Sequence, residues 1–135
     1  MTHLWGLYHL EDLRVAIAEA KRVLKPGGRY FTSTSARDND PEIMPEDYPA
    51  STFDAEEAEE IVRSILDSVV AERWDAQSFP LRTREEVRAD AAAAYLDVDG
   101  VPAQRADATD GDVPKRRRWV TVTSRAAGLA DSVGA

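Results

Sequence analysis

The sequence predicts an α/β fold, in which helices pack against an open sheet. The clearest evidence lies between Leu10 and Ser35. Apolar residues recur there at the i, i+3 and i+4 spacing of a half-buried helix, at Leu13, Ala16, Ile17, Ala20 and Leu24. A strand is predicted directly after it, at Arg29 to Ser35, because the run contains Tyr30, Phe31 and Thr32. A helix that leads through a short turn into a strand is half of an α/β crossover unit.

The turn between this helix and strand is Lys25-Pro26-Gly27-Gly28. Pro26 cannot continue a helix, and it biases Lys25 towards extended backbone. Gly27 and Gly28 are both expected to supply positive φ angles for a tight reversal. The first helix is therefore predicted at Asp12 to Leu24, with Glu11 or Asp12 as its cap.

A loop and a second helix are predicted next. Asn39 to Thr52 contains three prolines among acidic residues, which is typical of a loop. Asp54 and Glu57 have capping-box spacing, so we expect a helix over Asp54 to Val69. Its apolar residues would form one buried face, made of Ala58, Ile61, Val62, Ile65, Leu66 and Val69.

The rest of the chain predicts a strand, a helix, a loop and a final strand. The strand covers Val70 to Phe79 and is expected to end at Pro80. Thr83 and Glu86 have capping-box spacing, which predicts a third helix at Arg84 to Leu96. Residues 97–114 lack periodicity and are expected to form a mobile loop. Alternation around Val120 and Val122 predicts a strand over 115–125, and 126–135 is expected to be a flexible tail.

Composition excludes several classes of function. The chain has 135 residues, enough for one domain, and no cysteine, so disulfides and thiolate chemistry are absent. No apolar run reaches the length of a membrane span and no signal-peptide pattern is present, so a cytoplasmic location without membrane attachment is expected. The net charge of −8 argues against binding to nucleic acid. The acidity fits either ordinary solubility or adaptation to high salt.

The segment Leu7 to Ser35 resembles the late half of the class I S-adenosylmethionine-dependent methyltransferases, of the type 11 kind. In that family strand 4 leads into a segment like Leu-Tyr-His-Leu-Glu-Asp, then a helix, a Val-Leu-Lys-Pro-Gly-Gly turn and strand 5. The family also has an Arg-Asp pair after strand 5, which matches Arg37 and Asp38. The resemblance implies a partial Rossmann-like sheet of about three strands, with helices mainly on one face. Strands 5, 6 and 7 would be residues 29–35, 70–79 and 117–125, with strand 7 antiparallel between the other two.

The chain departs from this family in its cofactor site. The Gly-rich loop after strand 1 and the acidic residue after strand 2 have no counterpart. Gly27 and Gly28 do not replace that loop, because they lead into a strand rather than into a helix N-terminus. We expect residues 1–125 to be the C-terminal part of a methyltransferase domain whose N-terminal half is missing. S-adenosylmethionine is the cofactor that the resemblance implies, and this chain alone is not expected to bind it.

The expected function is methyl transfer to an unidentified small-molecule acceptor, with little activity from this chain alone. The alternative is a non-enzymatic α/β fragment or binding module that associates with a partner. Such a partner would be the N-terminal half or a second copy. We expect association through an exposed sheet for two reasons. An apolar sheet surface would be left uncovered, and Tyr30 to Thr34 would form an unpaired sheet edge, next to a stub of strand 4 that ends near His3.

Site residues follow from the same resemblance. Tyr8 and His9 would follow strand 4, at the edge where open α/β sheets bind ligands. His9 is the candidate catalytic base, and the alternative is that Tyr8 and His9 pack against and cap the next helix. Trp5, Arg37 and Asp38 are the other substrate-pocket candidates, although Trp5 also fits a core position and the charged pair also fits a solvated loop.

Two charged segments have simpler interpretations. Lys115 to Arg118 is a basic run in an acidic chain, and either a solvated strand entry or neutralisation of nearby carboxylates explains it better than nucleic-acid binding. Asp107, Asp110 and Asp112 match only the first half of a calcium-loop pattern, with no closing glutamate. No metal site is predicted.

Overall fold

A computed structural model describes residues 1–4, 6–39, 41, 44, 50–95 and 112–128. The chain forms two compact units. The first contains the described parts of Met1–Arg37, Ser51–Trp74 and Arg118–Ala135, and the second those of Asp38–Ala50 and Asp75–Arg117. No helix in these described ranges is long and apolar enough to cross a membrane.

Strands and helices alternate along the described chain. After β1 and a short 3₁₀ helix, each helix is followed by a strand. The elements are β1 (Thr2–Leu4), the 3₁₀ helix (Leu7–His9), α1 (Leu13–Val23), β2 (Arg29–Ser35), α2 (Ala58–Arg63), β3 (Val69–Leu81), α3 (Arg84–Tyr95) and β4 (Val113–Arg125). The predicted α/β class is therefore confirmed.

The four described strands form one sheet in the order β1-β2-β4-β3. β1 runs parallel to β2, with His3 opposite Thr32. β4 runs antiparallel to β2 along the whole strand, from Arg29 opposite Arg125 to Ser35 opposite Trp119. The predicted insertion of an antiparallel last strand is confirmed, and β1 adds a fourth strand to the expected three. The predicted unpaired edge at Tyr30 to Thr34 is wrong, because β2 has a partner strand on both sides.

The first helix and its turn follow the sequence closely. Asp12 is the cap, since its Oδ1 accepts a hydrogen bond from the Val15 amide at 3.1 Å. Gly27 has a φ of 73°, the left-handed conformation that glycine adopts without strain. Gly28 was wrongly expected to share it, and is needed instead for space. A Cβ there would lie 2.7 Å from the carbonyl oxygen of Lys25.

The second helix is shorter than predicted, because it covers only Ala58–Arg63. Asp54 caps a separate turn before it, with its Oδ1 accepting from the amides of Glu56 and Glu57. After the helix, Ser68 has a φ of 51° and the chain enters β3 at Val69. The predicted apolar face is nevertheless confirmed, with five residues buried and Ile65 packed against them: Ala58, Ile61, Val62, Leu66 and Val69.

The later elements also differ at their ends. β3 continues through Pro80 to Leu81, because it is the outermost strand and a missing backbone donor is tolerated there. The capping box of α3 is confirmed, since Glu86 N–H donates to Thr83 Oγ1 and Thr83 N–H donates to Glu86 Oε2. β4 already begins at Val113, so the last two residues of the predicted loop are strand. Leu96 and the rest of that loop lie outside the described residues.

Each unit has its own buried core. In the first unit α1 and α2 pack on one face of the sheet, against Tyr30, Val120 and Val122, as predicted. These strand residues lie on the same face because Val120 and Val122 are opposite Thr34 and Thr32. The second unit buries Leu81, Val87, Ala91 and Val113.

Candidate functional site

The candidate site lies where β1 and β2 end. The two strands are parallel, so their carboxyl ends meet at one edge of the sheet. The 3₁₀ helix Leu7–His9 follows β1, and Arg37 follows β2 by two residues. Ligands of open α/β sheets bind at this edge.

The segment Ser51 to Asp54 contacts the ends of both strands. The hydroxyl of Thr52 donates to the carbonyl of Tyr8 at 3.3 Å, beside the end of β1. The hydroxyl of Thr34, near the end of β2, donates to the carbonyl of Phe53 at 2.7 Å. Phe53 itself is buried in the core of the first unit. This segment therefore fixes the backbone around the candidate site.

Arg37 and Asp54 form a salt bridge with two hydrogen bonds at this edge. Arg37 Nε and Nη2 both donate to Oδ2 of Asp54, at 2.9 and 2.7 Å. The Asp54 side chain is only 2% exposed, and its other oxygen accepts two backbone amides. A buried carboxylate with four donors is fully satisfied, so this contact stabilises the loop at the sheet edge.

Two more carboxylates surround Arg37. Glu56 Oε2 accepts a hydrogen bond from the Arg37 backbone amide at 3.0 Å, and Glu57 Oε1 lies 3.4 Å from Nη2. The hydrogen bonds that Arg37 donates to Asp54, and then the negative charge of Asp54, raise the pKa of Arg37 above its ordinary value. Arg37 is therefore permanently cationic, and part of its guanidinium is already bound to protein carboxylates. Sequence analysis missed Asp54 as its partner, because seventeen residues separate the two and no local pattern links them.

Tyr8 and His9 lie side by side on the 3₁₀ helix, with ring centroids 4.3 Å apart. Tyr8 is partly buried and packs against the core, whereas His9 is exposed. Asp12 caps α1, so Tyr8 and His9 are not needed as a cap for that helix. An exposed imidazole at this edge can take a proton from a bound methyl acceptor. The catalytic role of His9 stays a prediction.

A second polar pair, which sequence analysis did not identify, joins β1 to β2. His3 Nδ1 and the Tyr30 hydroxyl are 3.1 Å apart, and their rings meet edge to face. Burial raises the pKa of Tyr30 to about 12. The phenol therefore keeps its proton at neutral pH and can donate it to a neutral His3.

The other predicted site residues are Trp5 and Asp38. Trp5 and Asp107 to Asp110 lie outside the described residues. Asp38 is exposed, and no cluster of metal-ligating side chains occurs within the described ranges. In the second unit, buried Lys115 pairs with Asp90, and Arg116 makes two hydrogen bonds to Asp75. Neutralisation of carboxylates is therefore confirmed for these two residues of the basic run.

Comparison with known proteins supports the resemblance. Residues 1–32 match the family model for a methyltransferase domain. A search of curated proteins found no match. The fold matches that of the cyclase SpnF, with 20% identity and a TM-score of 0.55, over 94% of this chain and 50% of that one. It also matches a candidate methyltransferase from Bacillus halodurans C-125, with 16% identity and a TM-score of 0.54, over 93% and 63%.

A third match is a phosphoethanolamine N-methyltransferase of Haemonchus contortus, solved with S-adenosylhomocysteine. It has 14% identity and a TM-score of 0.50, and covers 93% of this chain and 32% of that one. These matches confirm a Rossmann-like methyltransferase fold. The chain spans between about a third and two thirds of the length of the structures it matches.

Proposed function

We propose that this chain is the part of a methyltransferase that binds the methyl acceptor. The enzyme uses S-adenosylmethionine, and the chain needs another segment to hold this cofactor. The match of residues 1–32 to a methyltransferase domain is the observation that carries this proposal. The parallel β1–β2 pair and the antiparallel β4 support it, because they are the strand order that the family resemblance implies.

The cofactor part of the proposal rests on the glycines. Methyltransferases hold S-adenosylmethionine on a Gly-rich loop between a strand and a helix, where backbone amides point at the ligand. In this chain Gly27 and Gly28 lie between α1 and β2, in the opposite order. Gly6 leads into only a three-residue 3₁₀ helix. Neither position offers the amides of a full helix N-terminus.

Titration calorimetry of the purified chain with S-adenosylmethionine tests this. We expect no heat of binding, while a complete methyltransferase titrated in parallel binds normally. S-adenosylhomocysteine provides a second probe, because it lacks the transferable methyl group and is chemically stable. Micromolar binding of either molecule would show that the chain has a cofactor site of its own, and would contradict the proposal.

His9 would act as the general base once the cofactor is held. The test is to supply a cofactor-binding segment, encoded upstream or taken from a related enzyme, and to measure methyl transfer. His9→Ala should then lower turnover by about a hundredfold or more, with little change in the affinity for the cofactor. Leu10→Ala is the matched control, because Leu10 is an exposed neighbour. Equal turnover of both variants would leave His9 without a catalytic role.

A non-enzymatic binding module is the second candidate. SpnF has the same fold and is named as a cyclase, so the fold alone does not require methyl transfer. If the chain and the added segment form a stable complex that binds S-adenosylmethionine but transfers no methyl group to small-molecule acceptors, the binding module is favoured.

A further inference from the structure

One face of the sheet in the first unit is not covered by α1 or α2. The covered face carries Tyr30, Val120 and Val122, so the alternating residues of the same strands point to the opposite side. On that side Leu4, Val70 and Trp74 are 54%, 57% and 50% exposed. We call this surface the open face, and define it by Leu4, Arg29, Phe31, Val70, Trp74, Trp119 and Arg125.

The register places different side chains at the two ends of the open face. At one end Trp74 stacks on Trp119, with ring centroids 6.0 Å apart and an angle of 14° between the planes. At the other end Arg29 lies directly opposite Arg125. Phe31 and Val70 lie between these ends. Arg29 lies six residues along β2 from Ser35, which is the partner of Trp119. The two ends of the open face are therefore about 20 Å apart.

The two arginines form an unfavourable pair within one chain. In the adjacent pair the Ala126 amide donates a backbone hydrogen bond of 2.9 Å to the Gly28 carbonyl. Arg29 and Arg125 therefore occupy the next position, where opposed side chains come closest. Both are exposed, and neither forms a salt bridge within the described ranges. Like charges in this position repel each other. Contact with another surface that attracts both guanidinium groups would therefore be favourable.

We propose that the open face binds a second copy of this chain. A two-fold axis in the plane between the sheets and perpendicular to the strands reverses the order of the ends. It sets Arg125 of one copy over Trp119 of the other, with Arg29 and Trp74 on the neighbouring strands beside this contact, and the apolar centre against itself. Tryptophan is the best aromatic partner for a guanidinium, and the contact occurs twice in such a dimer. One surface thus supplies both the cations and the rings.

The proposal does not depend on the proposed function. Ultracentrifugation of this chain alone measures its association, whereas calorimetry with S-adenosylmethionine measures cofactor binding. Methyl transfer and dimer formation can therefore fail separately.

Analytical ultracentrifugation of the full chain tests the dimer. We expect a concentration-dependent dimer that Val70→Lys weakens by at least about tenfold, because a charge would enter the apolar centre. Val15→Lys is the matched control. Val15 is 62% exposed on α1, away from the open face, and this variant should dimerise like the original chain. Circular dichroism of both variants checks that they are folded.

Two further measurements separate this dimer from non-specific association. Trp119→Ala and Arg125→Ala should each weaken the dimer. The double variant should lose less binding free energy than the sum of the two single losses, because the two residues contact each other across the axis. Added salt should tighten the dimer, since each copy carries a net charge of −8. A chain that stays monomeric at every concentration, or a Val15→Lys effect as large as that of Val70→Lys, would overturn the proposal.

Discussion

Arg37 donates two hydrogen bonds to a single carboxylate oxygen of Asp54, whose other oxygen accepts two backbone amides. Through this contact the residue that follows β2 is bound to the turn that precedes α2. Replacement of Asp54 therefore tests the importance of this contact.

Asp54→Ala should lower the free energy of unfolding by about 2–3 kcal/mol, because a buried turn loses its acceptor for four donors. Asp54→Asn should cost less, since an amide oxygen can still accept the Glu56 and Glu57 amides. Chemical denaturation measures both. Glu19→Ala provides the control, because the Glu19–Arg22 pair lies on the surface of α1 and should contribute almost nothing. Equal losses for Asp54→Ala and Glu19→Ala would contradict the role of Asp54.

Tyr30 should make the fold sensitive to alkaline pH. Its ordinary pKa of 10 rises to about 12 in the folded chain, because the phenol is buried. The unfolded chain thus releases this proton first, and stability that is fully present below pH 10 is lost as the pH rises towards 12. The loss should reach about 2 kcal/mol.

The Tyr30→Phe variant isolates this effect. It should lose about 1 kcal/mol at neutral pH, since the hydrogen bond to His3 is gone, but should be less sensitive to alkaline pH than the original chain. Unfolding midpoints measured across the alkaline range give the comparison. If the two stability curves stay parallel between pH 10 and 12, the Tyr30 proton is not responsible.

The pair of Lys115 and Asp90 should be worth more than a surface ion pair. Lys115 is 2% exposed, so Asp90→Ala removes a carboxylate that pairs with a buried cation and should cost about 3 kcal/mol. Replacing both, as Lys115→Met with Asp90→Leu, should restore much of the stability. Asp67→Ala is the control, because the Lys21–Asp67 pair is exposed and should contribute at most about 0.5 kcal/mol. A cost for Asp90→Ala no larger than that of Asp67→Ala would refute the prediction.

The two glycines of the first turn should differ in their tolerance of alanine. Gly27→Ala places a side chain in open space at a φ of 73°, and should cost about 1 kcal/mol. Gly28→Ala forces a Cβ to within 2.7 Å of the Lys25 carbonyl, so the backbone must move and the cost should be larger, about 2 kcal/mol or more. Thermal unfolding of the two variants decides the order, and a reversed order would mean that positive φ matters more than space.

Local patterns predicted the elements whose causes are local. The i, i+3, i+4 spacing of α1 and the reciprocal bonds of Thr83 and Glu86 depend on neighbours a few residues apart, and both are as predicted. Such local rules could not predict that β3 continues through Pro80. Whether a strand tolerates proline depends on its position in the sheet, and β3 is outermost. The site was harder still, because the Arg37–Asp54 and His3–Tyr30 pairs join distant parts of the chain.

The position of β4 has a consequence for synthesis on the ribosome. β4 follows β1, β2 and β3 in the chain, yet it lies between β2 and β3 in the sheet. Until residues 113–125 have left the exit tunnel, β4 cannot form. The edges of β2 and β3 that face β4 in the finished sheet are unpaired until then. The nascent chain thus exposes two strand edges late in translation, when they can recruit other polypeptides. Shortening the chain before Arg118 should leave a product that aggregates rather than one that folds with a missing end.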